Sequence, residues 1–538
     1  MKLKKVLALV LVFVLAMSLV ACGGKDKPTN TSKEGEGKVD EKKVLTFGGP
    51  LDGVGNLDIH LTTINEIFQI TTHIQEGLLG LDTETLEIKP VLLTKIPEVS
   101  EDGLTYSCEL KPDVKFHDGT TLTSKDVKFT FERIFKPETK NVNTWLCDMI
   151  VGAKDMLEGK ATELKGFKII DDTHFEITIE EPYSAFMSVL AASQMVIYPE
   201  KACTEAGESW GTSSFVGTGP YKLKEFSPKN KVVLEKFDDY HDGAKKLDEI
   251  VFLNMDPNTA LLEFENGTID VTALDVSLVD NYLKNDKFKD NVKECESLGI
   301  VTFGLNTTMK PLDDVRVREA VNLAIDRKGL TENYLRGKAV PATCFVPKGI
   351  PGYDENAPEL EYNPEKAKQL LAEAGYPNGI ELTATISEKS TLAPVLEVVQ
   401  QQFKESNINL SIQKVDHAGY IDLRSRGEVQ LPLINWYADI IDADNFFYSI
   451  LYGDNSKFFS TNYFNKEFDA MCDEARKTVD PDEKAEIYKK IEHKITHEDF
   501  VVAPLYNPVF YYLVSDRVEN AVMMQTSLFR FTDADIVK

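Results

Sequence analysis

The chain has 538 residues, 27% of them charged, with 87 acidic against 60 basic side chains and a formal net charge of −27. A surface this acidic excludes nucleic-acid binding and direct adhesion to anionic lipid, because both need clustered Lys and Arg. The length is several times that of a usual single domain, so two or three domains are expected.

At the N-terminus, Lys2, Lys4 and Lys5 precede an apolar run from Val6 to Val20, and Leu19-Val20-Ala21 is followed by Cys22. A basic start, an apolar core and small residues before a cut predict a secretory leader over 1–21. The apolar run, about 15 residues, falls short of the roughly 20 that a bilayer core needs. Leu-Val-Ala-Cys resembles the bacterial lipobox, which implies a diacylglyceryl group on the Cys22 thiol. Two acyl chains on one cysteine anchor stably where one is marginal. The protein is therefore expected at the cell membrane, lipid-anchored on the extracytoplasmic face. Residues 22–43 carry Val39 as their only large aliphatic side chain. Such a stretch cannot bury enough surface to offset its ordering entropy, so a flexible tether is predicted.

The body that follows mixes strands and helices. Val44 to Phe47 opens as a strand, and Phe167 to Ile179 reads as a hairpin around Asp171-Asp172. Lys231 to Lys236 is a further strand. Asp314 begins a helix whose apolar positions are Val315, Ala320, Val321, Leu323 and Ala324. Asn363-Pro364 supplies an N-cap and an N1 proline, and Gly375 ends that helix. A third helix over Thr391 to Glu405 leads into a strand at Asn409 to Val415. Helix–strand alternation is densest between about 300 and 430, which predicts an α/β chain. No apolar stretch after Cys22 is long enough to span a membrane.

Several familiar chemistries find no support. The cysteines after Cys22 are Cys108, Cys147, Cys203, Cys295, Cys344 and Cys472, widely scattered and without a C-x-x-C pair. That argues against metal clusters and thioredoxin-like redox work, and leaves disulfide pairing open. His493 and His497 are four apart, but Lys494 follows the first where a zinc protease has Glu, so a solvated face is the better reading. Gly53-Val54-Gly55 lacks a third glycine at Asp58, and no P-loop or G-x-S-x-G elbow occurs. No metal, no cofactor and no enzymatic activity are expected.

Five separated blocks resemble one family, the extracytoplasmic solute-binding proteins of peptide-type ABC transporters (family 5). They are Lys111 to Ile134 (KPDVKFHDGTTLTSKDVKFTFERI), Gly217 to Tyr221 with Val233 to Tyr240, Asn306 to Arg327, Tyr362 to Gly379, and Trp436 to Phe447 (WYADIIDADNFF). In the first block the resemblance implies a strand, a His-Asp-Gly turn and a Ser/Thr-capped helix. The blocks occur in the family's order across 44–538. The resemblance implies a periplasmic-binding-protein-like fold of two halves and three lobes. One half would contain 44–75, 199–300 and 503–538, with 76–198 inserted as a smaller lobe; the other would be 301–502. Hinges near Ile300 and Val502 would let the halves close over a ligand.

The resemblance also implies a site. Asp439 takes the place of a carboxylate that pairs with a peptide's α-ammonium, and Asn435, Trp436 and Tyr437 border it. Main-chain hydrogen bonds from Asn435 to Tyr437 would suit an extended peptide of any sequence, and Trp436 could line a side-chain pocket. Thr63 and Asn65 take the opposite wall, and Arg424 is a candidate for the ligand's carboxylate end. Where some peptide-binding relatives have an arginine just before the tryptophan motif, this chain has Leu433. The expected partners are a peptide ligand and ABC permease subunits with their ATPases, and a monomer is expected. Two other readings stay open within reach of the family: a non-peptide solute such as a nickel complex or an oligosaccharide, and a peptide-pheromone sensing receptor.

Overall fold

The computed structural model describes residues 42–83 and 85–537. The leader, Cys22 and residues 22–41 of the tether lie outside the described residues. Lys42 and Lys43, assigned to the tether by composition, are fastened to the body. The Lys43 N–H donates to Asp248 Oδ2 at 2.9 Å, its ammonium lies 2.6 Å from Asp535, and Lys42 pairs with Glu249.

One mixed sheet of ten strands forms the backbone of the molecule. Along it lie Leu433–Tyr437, Gly299–Gly304, Val502–Val514, Val271–Leu274, Val44–Gly49, Glu249–Asn254, Lys231–Lys236 and Tyr221–Ser227. Val292–Glu296 and Ala339–Pro341 also pair with the long strand Val502–Val514. That 13-residue strand is the structural tie. Its first residues pair with Gly299–Gly304, and Ala503, Leu505 and Tyr506 enter a core built from residues between 301 and 433. Its last residues pair with Val271–Leu274, and Tyr512 and Val514 enter a second core with Leu45, Phe47, Ile250 and Phe252. Between Val301 and Thr302 the register against this strand slips, where Pro504 and Tyr506 flank the irregularity. A proline that cannot donate to the ladder is tolerated at such a point.

Residues 78–197 build a third core around the four-stranded antiparallel sheet of Glu98–Val99, Thr105–Glu109, His174–Thr178 and Phe167–Ile169. From elsewhere among the described residues, Ile440 enters this core and the partly buried Val216 packs against it. The helix Ser124–Phe135 packs against the sheet and starts on a capping box, Thr123 with Asp126. In the block 111–122 just before it, the expected strand is reduced to the isolated bridge Lys115↔Thr121. The Asp171 turn forms as read, its Oδ1 accepting from the N–H groups of Thr173 and His174 at 2.8 Å.

Later helices start where their caps predict. Asp314 accepts from the Arg316 N–H ahead of Val315–Leu323, and Asn363 from the Lys366 N–H ahead of Pro364–Glu373. Gly375 follows that helix at φ +95°, a left-handed turn that suits glycine. Ile380–Ser387 and Ile408–Val415 pair in parallel across the helix Ala393–Lys404. The helices Asp444–Leu451, Lys466–Lys477 and Pro481–His493 pack around Phe446, Phe468 and Ile491. The six described cysteines are free thiols.

Candidate functional site

A cavity of about 800 Å³ opens beside the strand Leu433–Tyr437. That strand pairs on one side with Gly299–Gly304 and, among the described residues, is the edge of the sheet on the other. Asn435, Trp436, Tyr437 and Ala438 line the cavity, so unpaired backbone groups border it, the arrangement that accepts an added extended segment. Gly299 is required here: a Cβ would sit 2.4 Å from the Tyr437 ring. Thr63 and Asn65 from the N-terminal part of the chain and Thr526 and Ser527 from its C-terminal part also line the cavity, and the Asn65 amide donates to the Ser527 hydroxyl at 3.0 Å.

Asp439 lies two residues past the end of the strand and is partly buried in the cavity wall. Two amides hold it in place. Gln194 Nε2, from the segment 76–198, donates to Asp439 Oδ1 at 3.3 Å, and the Asp439 N–H donates to Asn445 Oδ1 at 3.0 Å. The same Asn445 oxygen accepts from Trp436 Nε1 at 3.1 Å, so one fully buried amide orients both residues. No Lys, Arg or His nitrogen lies within ion-pair distance of Asp439 among the described residues. Burial raises its pKa to about 6, against the hydrogen bonds of Gln194 and Asn445, which pull it down. A carboxylate in this state gains most from an arriving cation.

Arg424 is the complementary charge. Its guanidinium stacks on Phe458 at 4.7 Å and Phe459 at 5.1 Å, and its Nε is buried without a hydrogen-bond partner. No carboxylate lies within 4 Å of it among the described residues, and burial lowers its pKa. A second arginine in the cavity, Arg476, is instead neutralised. It sits between Tyr448 at 3.7 Å and Tyr183 at 4.3 Å, with Asp444 Oδ2 at 3.4 Å. Asp444 also accepts from the Tyr183 hydroxyl at 2.7 Å, and burial lifts its pKa to about 6 despite Arg476. Asp148, which has no ion pair among the described residues, is exposed and lines the same cavity.

All seven residues singled out from sequence, Asp439, Trp436, Tyr437, Asn435, Arg424, Thr63 and Asn65, line this one cavity. Gln194, Asn445, Arg476 and Tyr183 were not singled out. Asn445 lies inside the quoted block, six residues past Asp439, and its Asn-after-Asp context carries no distinguishing signal. Gln194 stands 245 residues before Asp439, and only the folding of the chain brings them together. His493 and His497 stack at 5.4 Å away from the cavity, and no group of three His, Cys, Asp or Glu that could hold a metal ion occurs among the described residues.

The architecture and cavity define a class: an α/β, periplasmic-binding-protein-like chain with a ligand-sized recess beside a free strand edge. The chain belongs to the bacterial extracellular solute-binding proteins, family 5, whose middle region matches residues 87–458. Members are solute-binding proteins of transporters and not enzymes. The chain is 32% identical over 479 residues to the glutathione-binding protein GsiB of Escherichia coli (strain K12), covering 86% of this chain and 88% of that one. Its fold matches a periplasmic oligopeptide-binding protein, OppAIV, of Borrelia burgdorferi, with a TM-score of 0.77, 27% identity, and 92% and 100% of the two chains covered. It also matches the periplasmic binding protein DppA of Helicobacter pylori in complex with peptide STSA, with a TM-score of 0.76, 24% identity, and 92% and 98% covered. No described helix is long and apolar enough to cross a membrane.

Proposed function

We propose that this protein captures short peptides with a free amino terminus outside the membrane and delivers them to an ABC importer. The observation that carries the reading is Asp439, a carboxylate that has no ion-pair partner among the described residues and sits on the cavity wall just past a strand that is, among those residues, a sheet edge. A peptide laid along Asn435–Tyr437 presents its ammonium to Asp439, and main-chain hydrogen bonds hold it without reading side chains. Arg424, which has no carboxylate partner among the described residues, lines the same cavity and would receive the ligand's carboxylate. Thr63 and Asn65 close the opposite wall, and Trp436 offers an apolar face to a ligand side chain. A cavity of about 800 Å³ suits a small ligand rather than a protein. Glutathione, bound by a relative according to its name, has an amine and two carboxylates and belongs among the first ligands tested.

The lobes proposed are 44–75 with 199–300 and 503–538, the insert 76–198, and 301–502. The register slip beside Pro504 supports a hinge there. A lipid on Cys22 would hold the monomer at the membrane near its permease. Calorimetric titration with a free peptide and its N-acetylated form tests the binding reading, and equal affinity for the two refutes it. Restoration of binding by nickel after EDTA treatment would instead favour a metal-complex ligand.

A further inference from the structure

Past Asp439 the cavity continues into a smaller chamber of about 110 Å³. Asn65, Phe68, Gln194, Ala438, Asp439 and Thr526 line both spaces, so the two are continuous at the carboxylate itself. A chamber of this size has room for a few atoms of a polar group.

Its polar lining includes Gln75, Glu76 and Arg530. Gln75 is 2% exposed, and neither its Nε2 nor its Oε1 has a hydrogen-bond partner among the described residues. Buried side-chain amides are nearly always satisfied, so an amide left with both ends open asks for a ligand group. Arg530 has no carboxylate within 4 Å among the described residues, although Glu76 lines the same chamber. Glu76 is engaged elsewhere: the Tyr240 hydroxyl donates to Oε1 at 2.6 Å, and His241 Nε2 lies 2.9 Å from Oε2. Among the described residues, the charged groups lining the chamber are thus Asp439, Glu76, which is held by Tyr240 and His241, and the Arg530 guanidinium, which shares the chamber with the open Gln75 amide.

We propose that this chamber is a carboxylate subsite, in which Arg530 pairs with, and Gln75 donates to, an acidic group on the same ligand residue whose amine meets Asp439. The inference rests on the amine-clamp reading of Asp439 and narrows it. The preferred ligands become peptides whose first residue is acidic, whether linked through its α-carboxyl, leaving the side-chain carboxylate free, or through its side-chain carboxyl, leaving the α-carboxylate free. Arg530 suits this role because a planar guanidinium engages both carboxylate oxygens at once.

The test is calorimetric titration of the full chain with three tripeptides of free termini: Glu-Ala-Gly, its γ-linked isomer, and Gln-Ala-Gly. At least one acidic peptide is expected to bind about tenfold or more tighter than the Gln peptide, the scale of a charge-assisted hydrogen bond. Arg530→Gln should bring that ratio toward one. Thermal melting establishes that the variant is folded, and if it is not, the wild-type ratio decides alone. If all three peptides bind with equal affinity, the subsite is refuted while the amine clamp stands. A ratio that survives Arg530→Gln in a folded variant also refutes it. If none of the three binds, the amine-clamp reading falls and takes the subsite with it.

Discussion

Asp439→Asn separates the energetics of the fold from those of the ligand, because the two should move in opposite directions. Asparagine keeps the size of the side chain, and Gln194 can turn its own amide to meet it, so packing survives. What disappears is the charge. In the empty protein, burial lifts the Asp439 pKa to about 6, above its unfolded value, so the folded state holds the proton more firmly than the unfolded one. The resulting penalty is absent below about pH 4, grows as pH rises, and is complete above about pH 6, where it reaches about 3 kcal/mol at most. Asp439→Asn should therefore raise the melting temperature of the ligand-free protein at neutral pH and leave it nearly unchanged at the acid end.

Binding responds the other way. Removing one partner of a buried charge pair costs about 2–5 kcal/mol, or about 30-fold to several-thousand-fold in Kd. Acetylating the peptide should weaken wild-type binding similarly, and the two changes together should fall far short of additive, since they delete the same contact. Because an ammonium favours the ionised carboxylate, wild-type affinity should decline as pH falls through about 6, with proton release on binding below it, and the variant should lose that dependence. Calorimetry in buffers of different ionisation enthalpy reads both quantities. An Asp439→Asn protein that binds free peptide within about threefold of wild type would refute the reasoning.

Three further outcomes are expected. Arg424→Gln should weaken a free peptide about tenfold, and C-terminal amidation should do the same to wild type but little more to the variant; equal binding of acid and amide by wild type would remove Arg424 from the site. Asn445→Ala leaves the Trp436 and Asp439 N–H groups without their shared acceptor, so a loss of about 1–3 kcal/mol per group should appear as a lower melting temperature and altered Trp emission. Cys22→Ala should release the protein to the medium or leave its leader uncut, as fractionation and intact mass would show; a fully processed variant retained at the membrane would argue against the lipid anchor.

Much of this molecule is legible in its sequence because the deciding interactions are local. Asp314, Asn363 and the Thr123–Asp126 pair bond to N–H groups two or three residues away, so the helices they start are written in short spacings. The stretch from Asn435 to Asp439 is legible for another reason: its residues are consecutive, and five blocks in one order place the chain in its family. Proline obscures the long strand Val502–Val514, since Pro504 and Pro508 interrupt a pattern that otherwise reads as extended. The predicted strand in 111–122 fails in the opposite sense, because a strand needs a partner and that segment finds one only at Lys115↔Thr121.

What tertiary structure alone decides is the state of the charges. Residue type alone does not tell the charge state of Arg424 from that of Arg476. Only packing places Asp444, Tyr183 and Tyr448 around Arg476 and leaves Arg424 among aromatic rings without a carboxylate. Gln75 and Gln194 likewise carry no mark in sequence, yet one is buried with both amide ends open and the other spans to Asp439. Residue type sets which charges and donors exist. Whether each is neutralised or left available depends on neighbours hundreds of residues away, and at short range in a desolvated cavity those neighbours set the energy.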